Sequence, residues 1–514
     1  MKKVCLIILD GWGVAPPYAG NAPCQAKLSF LPYLQKFYPH CLLHASGINV
    51  GLLWWEPGNS EVGHLTMGAG KVIYQYLPRI INAIRDGSFF EKEAFKGACE
   101  HVKKNNSKLH LIGLLSSGGV HSYIDHLYAL LELAKKENVK KVFLHLFSDG
   151  RDAPPNEGAK LFEIFSQRLE IEKTGKIATI CGRSYGMDRA GYWERTKKTY
   201  LLMTELQGEK VKNIKEYFLS FYEKGIGDEY IPPGVVSPEG KIEENDALIF
   251  FNFREDRMRQ IVRAFCDEKF DKFETKKFKN LYIATMTRYF KEDYPKVHVA
   301  FEREKVENPL GKVLEKRNLS QLKITETEKY AHVTYFFNGL REKPFLKEKR
   351  VVFPSQGGPH YDKNPEMQAP LITERLIEAI ENEEADFLLV NFANPDMIGH
   401  TGNIKAAIKA AEILDYLLKR IYERNKGKYV LMITADHGNF EEMLSKKGEI
   451  LTEHSSNPVF FFLVDEALKK ERKPKKLWEQ KPSGFLYDIA PTILDYLEIE
   501  APQEMIGTSL REII

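Results

Sequence analysis

Donor groups of the kinds that hold divalent cations are scattered along this chain, each in a distinctive local setting. Asp10 closes the run Val4-Cys-Leu-Ile-Ile-Leu-Asp, and Ser60 lies in Gly58-Asn-Ser-Glu-Val-Gly-His64. Asp396 and His400 share Asn394-Pro-Asp-Met-Ile-Gly-His, Asp436 and His437 share Thr434-Ala-Asp-His-Gly-Asn439, and His454 stands in Glu453-His-Ser-Ser-Asn-Pro458. Three carboxylates, three imidazoles and one hydroxyl are enough to hold two divalent cations around a nucleophilic serine, an arrangement suited to metal-assisted phosphoryl transfer. A serine hydroxyl is a poor nucleophile at neutral pH, and a bound cation favours its ionised form. Oxygen and nitrogen ligands without thiolate suit manganese, zinc or magnesium, and the ligand set alone does not choose between them.

Each residue also has an ordinary reading. Asp10 and Ser60 could cap helices, Asp396 could cap a helix beside an unrelated surface His400, and His454 could be a surface or satisfied core histidine. The grouping argues for chemistry. Asp10 and Asp436 each follow a buried apolar run. After Pro395 a helix can begin, which puts Asp396 and His400 on one face a turn apart. Gly58 and Gly63 flank Ser60, so backbone amides at a helix start can approach a phosphate.

A second set favours anions. Arg183 and Arg189 lie in Gly182-Arg-Ser-Tyr-Gly-Met-Asp-Arg189, and Arg254 and Arg257 in Phe253-Arg-Glu-Asp-Arg257. Guanidinium groups at strand ends can grip a phosphate and a carboxylate through paired hydrogen bonds. Arg151 and Asp152 in Gly150-Arg-Asp, with His121 in Gly119-Val-His, add groups for substrate hydroxyls and proton transfer. Lys329, in Glu326-Thr-Glu-Lys-Tyr-Ala-His-Val333, is placed by its position near an inter-domain joint, where a cation could neutralise a phosphoryl group in transit. Solvated arginines and a lysine paired with Glu326 or Glu328 are the bland alternatives.

The elements that must position these groups are short β-branched runs ending in Gly, Asp, Ser or Asn, separated by longer charged segments of helical spacing. Val4–Leu9, Leu109–Leu115, Val142–Phe147, Ile177–Ile180, Ala247–Phe251, Leu281–Thr285, Phe387–Val390 and Tyr429–Ile433 are predicted strands. The alternation predicts an α/β protein with largely parallel sheets, whose ligands gather beyond the carboxyl ends of the strands. The metal-ligand types come from both ends of the chain and the arginines from its middle. We therefore expect two α/β domains: a discontinuous metal domain, residues 1–73 plus 299–514, and an inserted substrate domain, residues 77–295.

At 514 residues the chain is too long for one ordinary core. Its 43% hydrophobic and 28% charged residues describe a globular protein, and 74 basic against 71 acidic residues give no electrostatic reason to expect nucleic acid or an anionic membrane. The cysteines (Cys5, Cys24, Cys41, Cys99, Cys181, Cys266) contain no Cys-x-x-Cys pair and read as reduced, small buried hydrophobes. The amino-terminal apolar run is too short for a signal peptide, and no stretch approaches the ~18 apolar residues of a membrane helix. A cytoplasmic enzyme acting on a small molecule is expected. Lys469–Lys476 reads as a solvated loop.

Gly58-Asn-Ser-Glu-Val-Gly-His-Leu65, Val390-Asn-Phe-Ala-Asn-Pro-Asp-Met-Ile-Gly-His-Thr-Gly402, Thr434-Ala-Asp-His-Gly-Asn439, Ser148-Asp-Gly-Arg-Asp152, Phe251-Asn-Phe-Arg and Glu326-Thr-Glu-Lys-Tyr-Ala-His-Val-Thr334 together closely resemble cofactor-independent phosphoglycerate mutase. The metal ligands alone would indicate only the wider alkaline phosphatase superfamily. The resemblance implies an alkaline-phosphatase-like metal domain with two manganese ions, for which magnesium, cobalt or zinc could substitute. Asp396, His400 and His454 would bind one ion, and Asp10, Ser60, Asp436 and His437 the other. It also implies substrate contacts from His121, Arg151, Asp152, Arg183, Arg189, Arg254, Arg257 and Lys329, and a monomer that interconverts 3-phosphoglycerate and 2-phosphoglycerate in glycolysis and gluconeogenesis. In the expected mechanism Ser60 takes the phosphate, Asp152 moves protons on the glycerate hydroxyls, and the two domains close to exclude water. A metal-dependent phosphomonoesterase or a mutase for another sugar phosphate would use the same serine and metals, and a silent metal-binding protein is the rival from another class. Two local departures stand out. Leu52-Leu-Trp-Trp-Glu-Pro57 is bulkier than the family pattern, with Trp54 and Trp55 expected to be buried, and Ser455-Ser456 replaces threonines.

Overall fold

The computed structural model describes residues 1–292, 294–473 and 475–514, so one residue of the Lys-rich stretch, at 474, lies outside the described residues. The chain divides into two compact units, Met1–Gln75 with Glu304–Ile514, and Tyr76–Arg303. Each is built around an eight-stranded sheet.

In the first unit the strands lie in the spatial order Glu348–Phe353, Gln321–Glu326, Phe387–Phe392, Lys3–Leu9, Tyr429–Thr434, Val459–Val464, His40–His44, Gly484–Phe485. The first five run parallel. Val459–Val464 is antiparallel to both of its neighbours. Phe387–Phe392, Lys3–Leu9 and Tyr429–Thr434 are almost wholly buried, as strands covered by helices on both faces must be. Their core includes Leu6, Ile8, Leu389, Leu431 and Ile433 together with Leu414 and Leu418 of the helix Ile404–Asn425.

In the second unit the order is Val297–Phe301, Tyr282–Thr287, Ala247–Phe250, Leu109–Leu115, Val142–Ser148, Lys176–Gly182, Gly234–Val235, Glu209–Lys210. The first six are parallel. Ile112, Leu114, Phe147, Leu248 and Phe250 form part of the core beneath the helix Arg259–Cys266.

All eight predicted strands exist, with every end within two residues of its expected place. Two expectations fail. Trp54 and Trp55 are 68% and 71% exposed, because the segment before Ser60 is a succession of turns that faces both indoles outward. Cys24 is exposed, while the remaining cysteines are buried and free. Among the described residues, no helix is long and apolar enough to cross a membrane.

Candidate metal and anion sites

In the first unit, neighbouring parallel strands deliver their next residues to one edge. Gln321–Glu326 leads to Lys329, Phe387–Phe392 to Asp396, Lys3–Leu9 to Asp10, and Tyr429–Thr434 to Asp436 and His437. The loop carrying His454 precedes Val459, the start of an antiparallel strand, and so arrives at the same edge. Gly11, at φ +76°, turns the chain sharply after Asp10, and a Cβ there would collide with the Asp396 backbone. Ser60 is the first residue of the helix Ser60–Ala69, whose cap is Asn59, accepting from Val62 N.

The Ser60 hydroxyl lies 3.0 Å from Asp10 Oδ1, 3.0 Å from His437 Nε2 and 2.8 Å from Lys329 Nζ. Lys329 Nζ is also 2.6 Å from both Asp10 Oδ1 and Asp396 Oδ2. His400 and His454 direct Nε2 at Asp396 Oδ1 from 3.2 and 3.1 Å, and those two nitrogens are 3.1 Å apart. Burial would raise the Asp10 and Asp396 carboxyls, yet Lys329 and the imidazoles hold both well below the usual range. Burial would lower the His437 imidazole, but Asp436, Asp10 and Asp396 push it up to about 9. Buried carboxylates this concentrated demand positive charge.

These residues fit divalent cations. His400 Nδ1 faces the Thr452 carbonyl at 2.7 Å, His454 Nδ1 faces that of Gly58 at 2.9 Å, and His437 Nδ1 faces that of Gly438 at 3.2 Å. Each carbonyl can accept a proton on Nδ1, which turns Nε2 toward the carboxylates as the atom that would bind a cation, the orientation found in metal-binding histidines. Asp436 Oδ2 is buried, lies 3.2 Å from His64 Nδ1 and has no hydrogen-bond partner among the described residues. Compact donor groups occur at Asp396, His400 and His454, at Asp10, Asp396 and His437, and at Asp10, His64 and Asp436.

His64 was not anticipated. Its Nδ1 donates to the Ser60 carbonyl and its Nε2 accepts from Asn391 Nδ2, which also donates to Asp10 Oδ2 at 2.7 Å. Its place in the Ser60 motif was a usable signal; Asn391 gave none, being one polar residue inside a strand.

The second unit repeats the design with opposite charge. Four adjacent strands lead to Arg254 and Arg257, to His121, to Arg151 and Asp152, and to Arg183 and Arg189. Buried Arg183 donates to Asp149 at 2.6 Å and to Asp152 at 2.5 Å. Asp256 pairs with Arg189 and, at 3.3 Å, with Arg254. His121 stands 3.8 Å from Asp152 and 3.7 Å from Asp256. Burial, then Arg183, lowers its imidazole to about 4. Burial and the guanidinium groups of Arg183, Arg189 and Arg151 also lower Arg257, which marks a field that favours an anion. Arg151, Arg189 and Arg254 keep about half of their side-chain surface exposed and available to a ligand. Asp149 and Asp256 were missed, although both lie inside motifs that the sequence singles out.

The family model for the BPG-independent PGAM N-terminus matches residues 80–291. The chain is 44% identical over 515 residues to a 2,3-bisphosphoglycerate-independent phosphoglycerate mutase of Moorella thermoacetica, covering 99% of this chain and 98% of the relative. It is 44% identical over 516 residues to the Clostridioides difficile enzyme of the same name, covering 99% of each. A phosphoglycerate mutase of Leishmania mexicana, crystallised at low cobalt concentration, is similar in structure with a TM-score of 0.59 at 30% identity, covering 99% of this chain and 97% of that one.

Proposed function

The chain belongs to the 2,3-bisphosphoglycerate-independent phosphoglycerate mutases, glycolytic isomerases of 3- and 2-phosphoglycerate, and from that premise we propose that it acts through a phosphoserine at Ser60 beside two manganese ions. The observation that carries this reading is the Ser60 hydroxyl within 3.0 Å of Asp10, His437 and Lys329. Asp396, His400 and His454 would hold one ion, and Asp10, Ser60, Asp436 and His437 the other; magnesium, cobalt or zinc could substitute. Support comes from the pinned imidazoles and from the cobalt named for the Leishmania protein. When bound, the ions supply positive charge that favours ionised Ser60 and neutralises the phosphoryl oxygens.

Ser60 Oγ attacks phosphorus as the bond from phosphorus to the substrate's 3-oxygen breaks, giving phosphoserine and bound glycerate. The glycerate 2-oxygen then attacks the phosphoserine, forming 2-phosphoglycerate and freeing Ser60. With Ser60 ionised at the start and the end of the cycle, Asp152 enters protonated, gives its proton to the leaving 3-oxygen and regains one from the attacking 2-hydroxyl, so the cycle balances. Lys329 follows the phosphoryl charge. Arg151, Arg183, Arg189, Arg254 and Arg257 with His121 hold the glycerate carboxylate and backbone. The first unit thus carries the metal chemistry and the second the substrate grip, in a cytoplasmic monomer.

A plain phosphomonoesterase would use the same serine, but it has little use for an arginine cluster that retains the dephosphorylated product. An enolase-coupled assay on metal-stripped protein, with manganese and without 2,3-bisphosphoglycerate, tests this. Metal-dependent formation of 2-phosphoglycerate that vanishes in Ser60→Ala is expected. Release of free phosphate without isomerisation would move the assignment to a phosphatase, and silence in both proteins would overturn it.

A further inference from the structure

Glu441 is fully buried, and its partners are all neutral donors. Its Oε2 accepts from Gly13 N at 3.0 Å and Asn439 N at 2.9 Å; its Oε1 accepts from Ser455 Oγ and, at 3.0 Å, from Asn457 Nδ2. A Cβ at Gly13 or Gly438 would overlap Glu441 Oε1, so the backbone closes directly around the carboxylate. Those donors lie in the segments that carry the proposed ligands. Gly13 follows Asp10, Asn439 follows His437, and Ser455 and Asn457 follow His454. Asn439 Nδ2 in turn donates to Asp396 Oδ1 at 2.8 Å.

A buried charge is costly, and shape alone does not require one here. A glutamine would present its oxygen to Gly13 N and Asn439 N. Its amide would donate to Ser455 Oγ and to a turned Asn457, both of which can accept, the turn giving up the half-buried bond from Asn457 Nδ2 to Glu442 at 2.9 Å. The chain nevertheless places a carboxylate where a neutral amide would satisfy the groups that close directly around it. We infer that Glu441 is a positioning residue for the cation site, tying three ligand segments together and adding its negative charge to the field that draws divalent ions in. The inference rests on the proposed role of those segments as metal ligands.

The test titrates metal-stripped, full-length protein with Mn2+, following the EPR signal of free manganese, with thermal unfolding of the metal-free forms alongside. Glu441→Gln is expected to raise the manganese Kd by about 10- to 100-fold, the range measured for outer partners of metal ligands. The metal-free unfolding temperature should not fall, and activity should return at saturating manganese. A Kd within threefold of wild type overturns the inference. Ser455→Ala keeps the charge and removes one of the two side-chain ties to the His454 segment, leaving that from Asn457, so it should weaken one manganese step and spare the other; no selective change also counts against the inference, even if Glu441→Gln fails to fold. Wild-type protein that binds no manganese overturns the metal-site reading as well. Wild type and Glu441→Gln binding equally overturns only the role of Glu441.

Discussion

Replacing Asp149 by asparagine should weaken the proposed anion grip of the second unit without replacing any proposed substrate-contact residue. Asp149 is 3% exposed and joins three strand ends. Its Oδ1 accepts from Arg151 N at 3.1 Å, Asp152 N at 2.9 Å and Arg183 Nη1 at 2.6 Å, while its Oδ2 accepts from Ser116 Oγ at 2.6 Å. Asparagine can keep an oxygen on the two backbone amides and turn its NH2 toward Ser116, so the main loss is the charge opposite Arg183. A buried hydrogen bond to a charged group contributes about 1.5–3 kcal/mol, and about 1.4 kcal/mol is tenfold, so kcat/KM should fall by roughly 10- to 150-fold. Arg183 would then lean wholly on Asp152, so kcat should drop along with the rise in KM. Burial pushes the Asp149 carboxyl up, but Ser116, the Asp152 amide and Arg183 together hold it below the usual value. A depressed carboxyl contributes stability that is present above about pH 3.9 and lost as pH falls through the folded value. The stability gap between wild type and variant should therefore narrow under strong acid. Steady-state kinetics with urea unfolding as control would check this, and a folded variant with kcat/KM within threefold of wild type would refute the reasoning.

His126 is buried against Tyr123 and Phe253, neither ring nitrogen has a hydrogen-bond partner among the described residues, and burial lowers it to about 3. The unfolded chain then binds the extra proton, so stability should be full above about pH 6.5 and decline toward pH 3 by up to about 1.4 kcal/mol per unit, a slope that His126→Leu should flatten in pH-dependent unfolding. Asp415 caps the helix Phe30–Phe37 from another element, accepting from Ser29 N at 2.7 Å, Phe30 N at 2.9 Å and Leu31 N at 2.8 Å. Asp415→Ala leaves those amides without an acceptor and should cost about 3–5 kcal/mol, read as a lower denaturation midpoint. Trp54→Ala and Trp55→Ala should each change stability by less than about 0.5 kcal/mol, because both indoles face outward; a larger loss by calorimetry would restore a packing role.

Strand identity was readable because runs such as Val4–Leu9 and Tyr429–Ile433 are apolar, β-branched and bounded by polar turns, all local properties. The anchoring polar residues were not readable. Glu441, in a Glu-Glu-Met stretch, has the look of a surface helix residue, yet its function is set by Gly13, Ser455 and Asn457, which are distant in sequence. Asp256 sits between two arginines in sequence, and only the fold pairs it with Arg189. The outward turn of Trp54 and Trp55 was likewise hidden, because an aromatic side chain signals burial only as a tendency.

By itself the sequence determined the α/β class and the donor types at each strand end, since a carboxylate after a buried strand is a statement about neighbouring residues alone. Tertiary structure decided that Lys329, Asp396, Asp10 and Asp436 meet, because strand order places their four strands side by side although Asp10 is hundreds of residues from the other three. It also decided which buried carboxylates face a lysine and imidazoles and which face backbone amides. Strand order and loop return set that difference: Lys329, His400 and His454 meet Asp396 from separate segments, whereas Gly13 and Asn439 present main-chain amides to Glu441.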